Sequence, residues 1–253
     1  MEKSVYEKNL VFDLPVEYKG LKIYPALMNN YYEFYFLVQS ILMEKNSIPD
    51  VSIITMTYLE YLYRYTTKDN PYALLFKELL AMVLRIDSSR IELKFNENVK
   101  PIFLVDKITY DSDDFENIKL IICEQNMVEI PDETIQKEIR DKMEEAKRLK
   151  AKMSQTKMGS LEDLVVAVLI STSFKIDDIY NLSIRKFNKI IERLDHKLHY
   201  QIYLTASMSG MVKFKDEKFI KHWLADLDKD KLAGVTIGLD EIQSQVNFEN
   251  QKK

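Results

Sequence analysis

The sequence predicts an α+β protein, predominantly α, and three observations lead there. All six prolines (Pro15, Pro25, Pro49, Pro71, Pro101 and Pro131) lie in the first 131 of 253 residues. Proline punctuates turns and extended segments and is poorly tolerated inside helices. Short strand-like runs separated by turn residues are confined to that first part. The second part carries apolar residues spaced three and four apart over long stretches, the mark of helices buried on one side. Three regions follow: a mixed N-terminal domain over 1–130 with short antiparallel strands, a long charged connector helix over 131–157, and a helical C-terminal domain over 158–253 with a short strand and a tail.

In the first region, "NLVFDLP" and "GLKIYPA" read as two short strands forming a hairpin around Gly20. "NNYYEFYFLVQSILMEKN" follows two candidate caps, Asn29 and Asn30, and reads as a well-buried helix. "VSIITMTYLEYLYRYTT" is rich in β-branched residues and tyrosine. Ile54, Tyr58, Tyr61, Leu62 and Tyr65 nevertheless fall at helical spacing, so it is assigned as helix. "PYALLFKELLAMVLRI" starts with proline, as helices often do, and carries Leu74, Leu75, Leu79, Met82 and Val83. Two strand-like runs follow, "RIELKFNE" and "PIFLVDKITY". "YDSDD" reads as a capping turn, and "FENIKLIICEQN" as helix or strand.

The second region has the narrowest stripe. Ile135, Ile139, Met143, Ala146, Leu149 and Met153 line one side of "PDETIQKEIRDKMEEAKRLKAKMSQTK". Acids crowd its start and bases its end, which complements the helix dipole. Glu133–Lys137, Glu138–Lys142 and Glu144–Arg148 are favourable i,i+4 pairs. Such a helix serves either as a connector, the reading adopted, or as a two-helix packing surface.

In the third region, Ser160 with Asp163 has the capping-box spacing. Leu161, Leu164, Val165, Val168, Leu169 and Thr172 form a core face. "KIDDIYNLS" is a short helix. Ser183 can cap a third, whose stripe runs through Ile184, Phe187, Ile191, Leu194, Leu198, Ile202 and Thr205. Residues 160–225 therefore read as a compact helical bundle, followed by an uncertain tail.

Composition excludes several chemistries. There are five glycines, Gly20, Gly159, Gly210, Gly234 and Gly238, and they assemble neither a P-loop nor a dinucleotide fingerprint. Cys123 is the only cysteine, so neither an internal disulfide nor a multi-cysteine zinc site can form. It lies in "IKLIICE" and reads as a small buried hydrophobe. The net charge of -4 does not suit general binding to nucleic-acid phosphates. No apolar run is long enough for a membrane span, and the expected setting is a reducing, intracellular one. His196 and His199 share a helix face without an obvious third ligand. Asp226, Asp228 and Asp230 begin like a calcium loop, but Lys231 and Ile237 stand where glycine and glutamate are needed. No nucleophile motif is present, no cofactor is implied, and the chain is expected to be non-enzymatic.

One alternative is DNA binding. Residues 161–199 have the helix–turn–helix–helix rhythm of a helix-turn-helix module, with Arg185, Lys186, Lys189 and Arg193 available for phosphates. Glu192 and Asp195 interrupt that basic face, and the turn lacks the customary glycine.

The stretch "YLTASMSGMVKFKDEKFIKHWL" holds the candidate site. Ser209-Gly210 reads as a helix stop with a left-handed cap. Met211, Val212 and Phe214 then alternate with Lys213 and Lys215 like a short edge strand. Phe214, Phe219 and Trp223 either fold back onto the bundle or form a docking edge with an aromatic anchor. The partner-binding residues expected are Met211, Phe214, Phe219 and Trp223.

"LTASMSGMVKFKDEKFIKHWL", following "SIRKFNKIIERLDHKLHYQIY", resembles the C-terminal part of proteins from tail modules of phages and prophages of low-GC Gram-positive bacteria. "FDLPVEYKGLKIYPALMNNYYEF" is similar too, a Lys-Ile-Tyr-Pro strand leading into a helix. It also resembles the N-termini of baseplate hub-assembly proteins of T-even phages. The resemblance covers both ends, about half the chain, and brings no catalytic residues. It implies an assembly chaperone or baseplate component. The partners would be tape measure, tail tube or baseplate subunits, with a homo-oligomer also in view. Its setting would be the host cytoplasm or the virion tail.

Overall fold

The computed structural model describes residues 3–46, 48, 50–65, 71–132, 142, 145–146, 159–209 and 222–225. The fold is α+β and predominantly helical, with two small antiparallel sheets. The chain divides into two compact units. One comprises Met1–Glu133 with Leu161–Asp195, and the other Thr134–Ser160 with His196–Lys253.

The first unit opens on a helix, α1 (Lys3–Val11), where the sequence suggested that a strand begins at Asn9. The hairpin around Gly20 is present, but its strands are β1 (Val16–Tyr18) and β2 (Leu21–Ile23). Lys19 and Gly20 both have positive φ, the backbone of the tight turn that suits strand twist. The helix expected over 29–46 is shorter. A 3-10 turn (Met28–Asn30) leads into α2 (Tyr31–Leu37), which tightens into 3-10 over Val38–Ile41. Asn30 makes no side-chain capping bond. Phe34 and Leu37 are buried, whereas Tyr32 and Phe36 face outward.

The tyrosine-rich segment forms two helices rather than one, α3 (Val51–Ile54) and α4 (Tyr58–Arg64). Thr57 causes the break. Its hydroxyl accepts from the Glu60 amide, and the Glu60 carboxylate accepts from the Thr57 amide. This capping box starts a new helix where the apolar spacing alone ran on. Ile53, Leu59 and Leu62 point inward, while Ile54 is exposed.

Helix α5 (Tyr72–Leu84) follows Pro71 as expected. It ends on Arg85 in the left-handed conformation, with Ile86 N–H donating to the Ala81 carbonyl. A three-stranded antiparallel meander follows: β3 (Ile91–Phe95), β4 (Pro101–Val105) and β5 (Ile108–Tyr110). "PIFLVDKITY" thus holds two strands, turned by Asp106 and Lys107, both at positive φ. Helix α6 (Ser112–Asn126) resolves the helix-or-strand ambiguity, and Asp111 caps it reciprocally with Asp114.

Phe76 of α5 is the hub of the aromatic core. It meets Phe103 of β4 at 5.4 Å and Phe115 of α6 at 5.1 Å, both edge-to-face. Asn126 secures the chain entering the core: its Oδ1 accepts from Ala26 N–H at 2.9 Å and its Nδ2 donates to the Ile122 carbonyl. Cys123 is buried as expected, and desolvation pushes its thiol up to about 11.

Three helices complete the described chain: α7 (Leu161–Ser171), α8 (Ile176–Tyr180) and α9 (Ile184–Met208). Residues 161–195, grouped by sequence with 158–253, close no core of their own. Val168, Ile179, Ile184 and Phe187 belong to the same buried cluster as Phe34, Leu79 and Ile122. The backbone reinforces this. Met28 N–H donates to the Leu182 carbonyl and Ile184 N–H to the Ala26 carbonyl, forming a bridge between Leu27 and Ser183. Of the connector expected over 131–157, Lys142, Glu145 and Ala146 are helical, and 133–141, 143–144 and 147–157 lie outside the described residues.

Candidate partner surface

Ser183 starts α9 in the manner anticipated. Its hydroxyl accepts from Lys186 N–H at 3.0 Å and donates to Asp13 at 2.8 Å. The apolar stripe of the helix then meets two different fates. Ile184 and Phe187 are fully buried, and Ile190, Ile191 and Leu194 pack against the core. Further along, Leu198 is 56% exposed, Ile202 62% and Met208 81%. The change coincides with the end of the first unit at Asp195.

Charge changes at the same place. From Arg185 to Lys197 the helix carries charged residues on its flanks, but Leu198–Ser209 contains no Asp, Glu, Lys or Arg. An exposed helix normally keeps a charged face toward water. This stretch is uncharged all round. That drop in charge is the sequence signal for the uncovered half, and reading the stripe as core throughout missed it.

Tyr200 lies on the opposite side of α9 from Leu198 and Ile202. Its ring meets that of His222 edge-on at 5.1 Å, and His222 is 6.0 Å from Trp223. His222 also holds a turn: its Nδ1 accepts from Leu224 N–H and its carbonyl from Ala225 N–H. Trp223 is half-buried there. Of the other expected docking residues, Met211, Phe214 and Phe219 lie outside the described residues.

The basic residues of the helix-turn-helix reading have partners inside the protein. Arg185 donates to the Glu124 carbonyl at 2.7 Å, and Lys186 to the Val11 carbonyl at 2.8 Å. Lys189 pairs with Glu192 at 3.0 Å. His199 is exposed and stacks on Tyr203. Among the described residues, no three His, Cys, Asp or Glu side chains are grouped to hold a metal, and no helix is long and apolar enough to cross a membrane.

Among the described residues, the first unit also holds a polar cleft of about 460 Å³ between the N-termini of α4 and α6. Thr57 and Ser112 meet there at 3.1 Å, and Asn96, Lys100 and Asp113 line it. Asn96 Oδ1 already accepts from Asn98 and Lys100 N–H, and Asp111 from the first turn of α6. These contacts make the cleft a junction of caps.

Residues 151–228 match the model of a domain family described as the second domain of YomV. The family is phage-derived, of the Bacillus prophage SPbeta-like kind. The similarity points to a phage protein. It includes α7, α8, the whole of α9 and the His222–Trp223 turn, so both fates of the stripe fall within it. Neither a curated protein nor a solved structure matches the chain.

Proposed function

We propose that this protein is a non-enzymatic phage protein that helps to build the tail or baseplate by holding other tail proteins. The similarity of residues 151–228 to a phage-derived domain carries the reading. The resemblance of both ends of the chain to tail-module proteins supports the finer assignment. The docking edge runs from Met211 through Phe214 and Phe219 to Trp223, with Tyr200 and His222 supporting the tryptophan. Its partners are tape measure, tail tube or baseplate subunits, met in the host cytoplasm during assembly or in the finished tail. The segment 131–157 acts as the connector of the chain.

Affinity capture from phage-infected or prophage-induced cells, with mass spectrometry, tests this. Tape measure, tube or baseplate proteins should be recovered at stoichiometric levels. Trp223→Ala should weaken that capture by about 2 kcal/mol or more, since an interface tryptophan is a frequent energetic anchor, and should move Tm little. Recovery of no tail protein would refute the reading. Early melting of Trp223→Ala, with capture normal once folded, would make Trp223 a core residue.

A further inference from the structure

We infer that the N-terminal body, residues 3–132, is a receptor for the segment Leu161–Asp195, and that the two stay bound without the chain that joins them. The matched phage-derived domain is then completed by the N-terminal body rather than standing alone. The inference rests on the contact itself and not on the tail assignment.

Backbone geometry sets the register of the contact. Met28 N–H donates to the Leu182 carbonyl at 2.8 Å, and Ile184 N–H to the Ala26 carbonyl at 2.9 Å. Ala26, Met28 and Ile184 are buried, so parting the segments strips main-chain groups on both sides of their partners. Ile184 and Phe187 are fully buried in the cluster that holds Phe34, Leu79 and Ile122, and Val168 and Ile179 enter it too. Four buried apolar side chains of the segment therefore depend on the N-terminal body.

Charge selects this segment over any other apolar one. The C-terminus of a helix presents carbonyls without intrahelical partners and carries partial negative charge. Lys186 donates to the Val11 carbonyl at the end of α1, and Arg185 to the Glu124 carbonyl in the last turn of α6. Two adjacent cations thus cap two helices of the body. Ser183 adds its bond to Asp13. A segment without this Ser-Ile-Arg-Lys run would forfeit all three side-chain bonds.

Every group named in the contact lies outside 134–158. Protease sequences inserted after Glu133 and before Gly159 would let that stretch be excised from the folded full chain. The two remaining pieces should co-elute as a one-to-one complex at about 1 µM, where contacts of micromolar or tighter affinity persist. Arg185→Ala combined with Lys186→Ala removes two charge-assisted bonds. It should raise the Kd of the excised pair at least about tenfold while leaving the circular dichroism of the uncut chain unchanged. Lys189→Ala, whose partner Glu192 lies on the same helix, should leave that Kd as it is. In the uncut wild type, the Met28 and Ile184 amides should show matching protection from hydrogen exchange, because they open together. Separation of the wild-type pieces in native buffer would overturn the inference, whether or not each piece stays folded. So would a complex indifferent to the double variant, because the pieces would then be held elsewhere. Free exchange at either amide would overturn it as well, by showing that the contact does not persist even in the intact chain.

Discussion

The two halves of α9 have the same apolar spacing and opposite surroundings. Ile184 and Phe187 are sealed into the core, while Leu198 and Ile202 are more than half exposed. Periodicity therefore establishes which side of a helix is apolar but says nothing about whether anything covers it. The difference lies in what arrives from elsewhere in the chain. Ala26, Leu27 and Met28 reach the first half and bond to the backbone at Leu182–Ile184. Similarity to a phage-derived domain runs through both halves, so the contrast falls within one recognisable stretch of sequence.

Paired truncations give the largest effect and the most direct attempt to break the contrast. Phe187→Ala should cost about 3–5 kcal/mol, the loss expected for a fully buried aromatic that leaves a cavity. Ile202→Ala, at a site mostly in water, should stay within about 0.5 kcal/mol. Urea denaturation would measure both. Equal costs would mean that the second half is covered after all.

Acid sharpens the comparison by acting on the first unit. Asp114 is buried, which by itself would raise its pKa. Bonds from Lys19 at 2.5 Å, the Tyr18 hydroxyl at 2.8 Å and the Asp111 amide outweigh burial and hold the carboxyl below its usual range. The folded form therefore takes up its proton at lower pH than the unfolded chain. The stabilisation is complete above the unfolded value of about 3.9 and is lost as pH falls through the folded value. Asp114→Asn should cost about 1–3 kcal/mol at neutral pH and flatten the acid limb of stability. An unchanged limb would show that the bonds to Asp114 do not distinguish its folded and unfolded protonation.

Much of the architecture was legible where a local signal carried it. "YDSDD" contains the Asp111 cap, Gly20 marks the first hairpin, and Pro71 marks the start of α5. The failures are equally local. Asp106-Lys107 turns the chain at positive φ without glycine, so β4 and β5 read as one run. The Thr57–Glu60 box splits a helix whose apolar spacing continues across the break. The N-terminal strand was misplaced because "NLVF" has strand composition, while Lys3–Val11 forms a helix with little amphipathic pattern. The candidate surface was half legible: Trp223 stood out by composition, but the exposure of Leu198 and Ile202 depends on which segments reach them.

The smallest effect separates structural from nucleic-acid roles for the basic residues of the first half. Arg185 and Lys186 each donate to a backbone carbonyl, at Glu124 and Val11. Replacing Arg185 by alanine removes one such bond at an exposed site and should cost about 0.5–1.5 kcal/mol. Lys189→Ala removes a surface pair with Glu192 and should cost less than about 1 kcal/mol. If these side chains serve the fold, gel shifts should show only weak, sequence-independent complexes that vanish between low and moderate salt, with both variants behaving alike. A sequence-specific complex that survives moderate salt and weakens on Lys189→Ala or Arg193→Ala would reverse the assignment. The first half of α9 would then be a DNA-reading helix, and the contrast with the second half would be between two partners rather than between core and partner.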